Sequence, residues 1–146
     1  MKAPDWWVKI ADFGISKRRQ QGVTTAHTFQ PGTINYSAPE ALGIGEGRNE
    51  TYTFAVDMWS LGAVVFRMLT SKSVFHNLGE LFDYVTGNLD FPVSDLQAQG
   101  VSSQCQEFVE ELMSPSPKAR KSSAAALSHA WITTQLVTNP EASLVR

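Results

Sequence analysis

Cysteine occurs once in these 146 residues, at Cys105. One thiol cannot build an internal disulfide framework, and its scarcity fits a reducing compartment. Long apolar runs are also missing: the longest, Leu61 to Phe66, is far too short to cross a bilayer. No secretory leader pattern opens the chain, because Pro4 and Asp5 stand where an apolar region would begin. The formal net charge is -2, so the basic surplus expected of a nucleic-acid binder is absent. His27, His76 and His129 are scattered without ligand spacing, which argues against a metal site of their own. Repeats and low-complexity tracts are absent. The expectation is a cytoplasmic or nuclear protein with neither membrane nor nucleic acid as a partner.

What remains is a globular composition, 42% hydrophobic and 18% charged, in a chain long enough for one domain with one core. Trp7 to Ala11 alternates and reads as a short strand running into Asp12, and Ile15-Ser16 can pair again briefly. Lys17 to Thr28 reads as an exposed polar loop whose basic triplet is solvated. Pro31-Gly32 marks a turn, and Pro39 at a first helical position starts a short helix through Leu42. Gly43, Gly45 and Gly47 end it.

Ala55 to Leu69 is apolar on nearly every face, so this helix is expected to be buried on all sides and to act as the hub of the domain. Asp57, Ser60 and Arg67 are its polar exceptions and need partners wherever they are buried. A shorter helix covers Leu78 to Val85. Asn88 to Gly100 reads as mostly loop, with Pro92 preventing a long helix. Cys105, Phe108, Val109, Leu112 and Met113 form a core-facing stripe behind an N-cap at Ser102, and Pro115 and Pro117 stop that helix. Cys105 is read as a core residue. Ser122 or Ser123 caps a last helix through Ile132, and Thr133 to Arg146 reads as a loose tail.

Two tripeptides carry the chemistry: Asp12-Phe13-Gly14, and downstream of it Ala38-Pro39-Glu40, with a hydroxyl-rich loop between them. In that order they resemble the activation segment of a protein kinase. Gly32-Thr33 with Tyr36, the run Asp57-Met58-Trp59-Ser60-Leu61-Gly62, and Pro117 with Arg120 follow in the family's order. From Val8 to Ile132 the chain resembles the C-terminal half of a Ser/Thr protein-kinase domain. Its ending, Ala126 to Trp131, is similar to calcium/calmodulin-kinase-like and checkpoint-kinase-like members.

The resemblance implies a role for each motif. Asp12 would hold the magnesium that bridges the phosphates of ATP, Gly14 would allow a sharp turn, and Phe13 would be an apolar switch. Thr33 would contact the catalytic aspartate and shape the substrate loop, and Gly32-Thr33 with Tyr36 argues for Ser/Thr specificity. Glu40 and Arg120 would form a buried structural ion pair. Asp57 would accept hydrogen bonds from the catalytic-loop backbone, while Trp59 and Trp131 would be core aromatics. Thr24, Thr25 and Thr28 lie where activation-loop phosphorylation occurs in relatives, with Thr28 the best placed; the alternative is an unmodified polar loop.

Several parts of the family's machinery are missing from these residues. There is no Gly-rich phosphate loop, no strand lysine with a partner glutamate, no His-Arg-Asp and no downstream asparagine for a second magnesium. In the family all of these precede Asp-Phe-Gly, and only eleven residues precede Asp12. Met1 is therefore expected to be a start inside a longer kinase reading frame, whether a truncated gene model, a short isoform or a decayed copy.

The expected fold is mainly α, a partial kinase C-terminal lobe. A short strand pair and the activation segment (12–40) lead into about five helices around the hub (41–132), and 133–146 forms the tail. The expected function is that of a partial Ser/Thr kinase domain, inactive alone, with ATP and magnesium as the family's cofactors and protein substrates or regulators as partners. The alternative is a non-catalytic interaction module using Leu78 to Val85 and Cys105 to Met113. A hub helix deprived of neighbours leaves apolar area in water at about 25 cal/mol per Å², which predicts marginal stability and an aggregation-prone face.

Overall fold

The computed structural model describes residues 34–46 and 53–138, with side chains described through Thr134. The expected strand pair lies outside these residues. The described part is mainly α: 3₁₀ turns at Ile34–Tyr36 and Pro39–Leu42, then α1 (Ala55–Thr70), α2 (Leu78–Thr86), α3 (Val93–Ala98), α4 (Ser103–Leu112), α5 (Ser123–Leu127) and α6 (Ala130–Thr138).

Helix α1 is the centre of the packing, in contact with α3, α4 and the Ile34–Tyr36 turn. It buries Met58, Trp59, Gly62, Ala63, Phe66 and Thr70, positions that share one side of the helix. The expectation of burial on all sides is not met. Leu61 is 43% exposed, Val64 42% and Met68 77%. Their spacing places them together on one face, which the described elements leave in water.

Helix α4 delivers the expected stripe, with Cys105, Phe108, Val109 and Leu112 all buried. Its Ser102 hydroxyl accepts the Cys105 N–H at 3.3 Å, satisfying one of the orphan donors of the first turn. Burial pushes the Cys105 thiol up, so it is an inert core group rather than a nucleophile. The close approach of α4 to α1 depends on Gly62. A Cβ there would lie 2.6 Å from Met113 Cγ and 3.0 Å from Leu112 Cβ. Gly62→Ala should therefore destabilise by about 1–3 kcal/mol from overpacking, exceeding the roughly 1 kcal/mol that alanine gains in helix propensity. Urea denaturation of both proteins checks the sign. A more stable variant would mean that α4 yields without cost.

One sequence reading is incomplete and another needs correction. Asn88 to Gly100 is mostly loop as read, but it contains a short helix at Val93–Ala98 that the sequence reading did not give, and Leu96 within it is completely buried. Pro92 precedes the first turn, where a missing N–H costs nothing, so it begins this short helix, and no long helix runs through it. The last helix does not run unbroken to Ile132. It ends at Leu127, and a second one, α6, extends through Thr138, which removes Thr133 to Thr138 from the expected tail. Ser122 caps α5 by accepting the Ala125 N–H at 3.2 Å. His129 caps α6 through its ring: Nδ1 accepts the Trp131 N–H at 3.1 Å.

A second layer of the core is aromatic. Trp59 faces Phe75 at 6.3 Å and Tyr84 at 6.4 Å, and Phe75 and Tyr84 lie 5.0 Å apart. Phe91 joins Tyr84 to Phe66, each at 5.9 Å. This cluster fastens α2 and the segment after it to α1.

Candidate functional site

The Pro39–Leu42 turn forms because Ala38 is extended and Pro39 supplies a fixed φ at the first position, while Gly43 at φ 75° closes the turn. This local geometry puts Glu40 on the inner side, where only 5% of the residue is exposed. Arg120 reaches it from the loop between α4 and α5 and is 6% exposed. The pair is bidentate. One terminal guanidinium nitrogen donates to Glu40 Oε1 at 2.8 Å and the other to Oε2 at 3.1 Å.

Two further donors of Arg120 are also used. The nitrogen bound to Oε1 donates to the Ala55 carbonyl at 2.7 Å, and Nε donates to the Ser114 carbonyl at 3.1 Å. The guanidinium lies 5.0 Å from the centre of the Trp59 ring. A buried charge pair is tolerable only when such bonds replace the lost water. No buried side-chain nitrogen or oxygen among the described residues lacks a partner. The clamp therefore joins the Pro39–Leu42 turn, the start of α1 and the loop after α4.

A second tie holds the preceding turn. The Ser60 hydroxyl lies 2.8 Å from the Tyr36 carbonyl and 3.1 Å from the Val56 carbonyl, so its single proton serves the two acceptors in a three-centre arrangement. Asp57 is exposed, and its carboxylate has no hydrogen-bond partner among the described residues. Asp12, Phe13, Gly14, Gly32, Thr33, Thr24, Thr25 and Thr28 all lie outside the described residues. Of the candidate site residues, the structure brings together Glu40, Arg120 and Trp59, while Tyr36 ends the turn tied to Ser60 of α1 and Gly62 faces α4.

Two networks escaped the sequence reading. Tyr84 donates its hydroxyl proton to the Met113 carbonyl at 3.0 Å. Burial, with the nearby Glu110 carboxylate, pushes its pKa up from 10.0 to about 12 against the opposing pull of Arg120. The folded state thus holds the Tyr84 proton more tightly than the unfolded chain. That contribution to stability is full below pH 10 and is lost as pH rises to about 12. Tyr84→Phe should flatten this alkaline part of the stability curve by about 1–2 kcal/mol, allowing for solvent screening at a partly exposed ring. Urea midpoints of both proteins across that window check it, and parallel curves would refute it.

The second network joins α4 to the cap of α6. Glu107, Glu111 and His129 place their ligand atoms within 4.8 Å of one another. Because His129 Nδ1 accepts from Trp131, Nε2 carries the proton and faces Glu111 Oε2 at 3.3 Å. Lys121 pairs with the same Glu111 oxygen. The Nδ1 nitrogen is engaged by the backbone, and the cluster joins α4 to the start of α6. A histidine directly before a helix was its only sequence signal.

The described residues do not fit a nucleotide with magnesium. The open hollow beside α1 is lined by Tyr36, Val64, Arg67, Met68 and Ser71, with no carboxylate to hold a divalent ion.

No helix of the described residues is long and apolar enough to cross a membrane. Against known proteins, residues 2–132 match the protein kinase domain. The chain is 33% identical over 144 residues to a probable myosin light chain kinase of Dictyostelium discoideum, covering 96% of this chain and 45% of that protein. It is 32% identical over 128 residues to calcium/calmodulin-dependent protein kinase type 1 of Caenorhabditis elegans, covering 86% and 34%. The crystal structure of Rad53 1-466 in complex with AMP-PNP superposes with a TM-score of 0.56 at 33% identity, over 69% of this chain and 26% of that one. The chain spans less than half the length of these relatives. With the clamped Pro39–Leu42 turn, the hub helix and a domain match over most of its length, the chain belongs to the protein kinase family and corresponds to the helical C-terminal lobe of its domain.

Proposed function

We propose that the chain works as the C-terminal lobe of a Ser/Thr protein kinase, the part that supports protein substrates, and that it does not transfer phosphate by itself. The observation that supports this reading is the Glu40–Arg120 clamp, which holds the end of the activation segment on the hub helix. The family's reaction moves the γ-phosphoryl group of ATP-Mg to a protein hydroxyl, and it depends on positioning and charge neutralisation. In that scheme Asp12 is the magnesium ligand, Thr33 and Tyr36 shape the substrate loop, and Thr24, Thr25 or Thr28 receives a regulatory phosphate. The base, the strand lysine and the glycine loop that complete the site are absent from these 146 residues.

The purified chain incubated with labelled ATP-Mg and a generic protein substrate should show no turnover. Joined to the upstream lobe and catalytic loop of Rad53, it should support turnover that Glu40→Gln reduces. Turnover by the chain alone at about 1–100 per second would overturn the proposal.

The alternative of a non-catalytic interaction module keeps one observation in its favour. Leu78 is 46% exposed and Phe82 52%, one turn apart on α2. The other half of that expected surface is unavailable, because Cys105, Phe108, Val109, Leu112 and Met113 are buried. If this reading holds, a partner should bind the chain in a manner abolished by Phe82→Asp while nucleotide binding stays undetectable.

A further inference from the structure

The loop after α4 contains two Ser-Pro pairs, Ser114-Pro115 and Ser116-Pro117. Pro117 biases Ser116 toward an extended backbone. The Ser116 carbonyl accepts the N–H groups of Ala119 and Arg120, both at 3.1 Å, so the turn that carries Arg120 begins at this residue. The Ser116 hydroxyl donates to Glu46 Oε2 at 3.1 Å, an exposed contact between positions 70 residues apart. Glu46 belongs to the segment leaving the Pro39–Leu42 turn. The same two loops are therefore tied twice: inside by Glu40 and Arg120, and at the surface by Glu46 and Ser116.

We propose that Ser116 is a phosphorylation site for a proline-directed Ser/Thr protein kinase acting in trans, and that the phosphate turns the surface tie into a repulsive contact. Ser116 Oγ attacks the γ-phosphorus of ATP bound to the modifying enzyme. The new O–P bond forms as the bond to the β,γ-bridging oxygen breaks, ADP leaves, and the hydroxyl proton passes to a carboxylate base of that enzyme. The product has no hydroxyl proton left for Glu46 and carries a charge of about -1.5 to -2. A carboxylate cannot stay at hydrogen-bond distance from such a group, so Glu46 must withdraw. Lys118, exposed and in no ion pair among the described residues, is the cation nearest in sequence to the new charge. The buried pair beneath is shielded from solvent, which confines the effect to residues 43–46 and 114–117. Ser114 is the poorer acceptor, because its backbone carbonyl is held by Arg120 Nε at 3.1 Å.

The test uses the full chain, ATP-Mg and a purified proline-directed kinase, with the site mapped by mass spectrometry. One phosphoryl group is expected on Ser116, lost in Ser116→Ala and retained in Ser114→Ala. Amide exchange at residues 43–46 should rise several-fold on phosphorylation of the wild type. In Glu46→Gln, which removes the repelling charge, phosphorylation should not raise it. An unmodified folded chain, or phosphate confined to Ser114, would overturn the site. Phosphate on Ser116 with unchanged exchange at 43–46 would overturn the switch.

Discussion

Arg120→Met is expected to lower the free energy of unfolding by about 3–5 kcal/mol, because it leaves a buried carboxylate without its cation. Glu40 is only 5% exposed, so its carboxylate would be left in a site that water hardly reaches. The carbonyls of Ala55 and Ser114 would lose their donor in the same step, and an orphaned buried acceptor adds to the cost. Methionine replaces much of the volume, so the loss reports charge and hydrogen bonding more than a cavity. The double variant Glu40→Leu with Arg120→Met should recover a large part of the loss, since a buried ion pair is often no more stable than an apolar pair of similar size. Urea denaturation of the wild type, both single variants and the double variant measures the coupling. A loss below about 1 kcal/mol for Arg120→Met would mean that the pair is open to solvent and clamps nothing.

Trp59→Ala is expected to cost a comparable amount, about 3–5 kcal/mol, by emptying the centre of the core. The residue is 1% exposed. Phe75 and Tyr84 pack against it from the α2 side, and the Arg120 guanidinium covers it from the clamp. Trp59→Phe should lose much less, because a ring still fills the site. Since Trp59 and Arg120 touch, the costs of Trp59→Ala and Arg120→Met should fail to add, with an interaction energy of about 0.5–3 kcal/mol. Strict additivity would show that the cation over the ring contributes nothing to stability. Loss of a cooperative transition in Trp59→Ala alone would still agree with the prediction, and Trp59→Phe then supplies the measurable comparison.

The exposed face of α1 shows where sequence reading reached its limit. Its composition identified a helix that needs neighbours all round, and the apolar character of Leu61, Val64 and Met68 was plain. Which faces meet a neighbour depends on the elements that pack there, and composition does not carry that information. The short helix α3 was missed for a related reason. Six residues after a proline have little helical stability of their own, and Leu96 holds them by burial in the core next to α1 and α4. The break at His129 was hidden as well, because a histidine becomes a cap only when its ring is oriented, here by Glu111 from another helix.

Local signals gave reliable limits wherever the deciding contact lay within a few residues. Ser102 and Ser122 cap as read, Pro39 opens its turn, and the stripe from Cys105 to Leu112 faces the core. Each depends on hydrogen bonds or side-chain periods spanning one turn of backbone. The order of the motifs along the chain was enough to indicate the kinase family and its helical lobe. Tertiary structure alone decided that Glu40 and Arg120, 80 residues apart, meet with both oxygens engaged, and that Ser116 ties down Glu46 above them. Contacts at such separations gain their free energy only after packing has removed the intervening water. For that reason they are decided by the assembled core and not by any one segment.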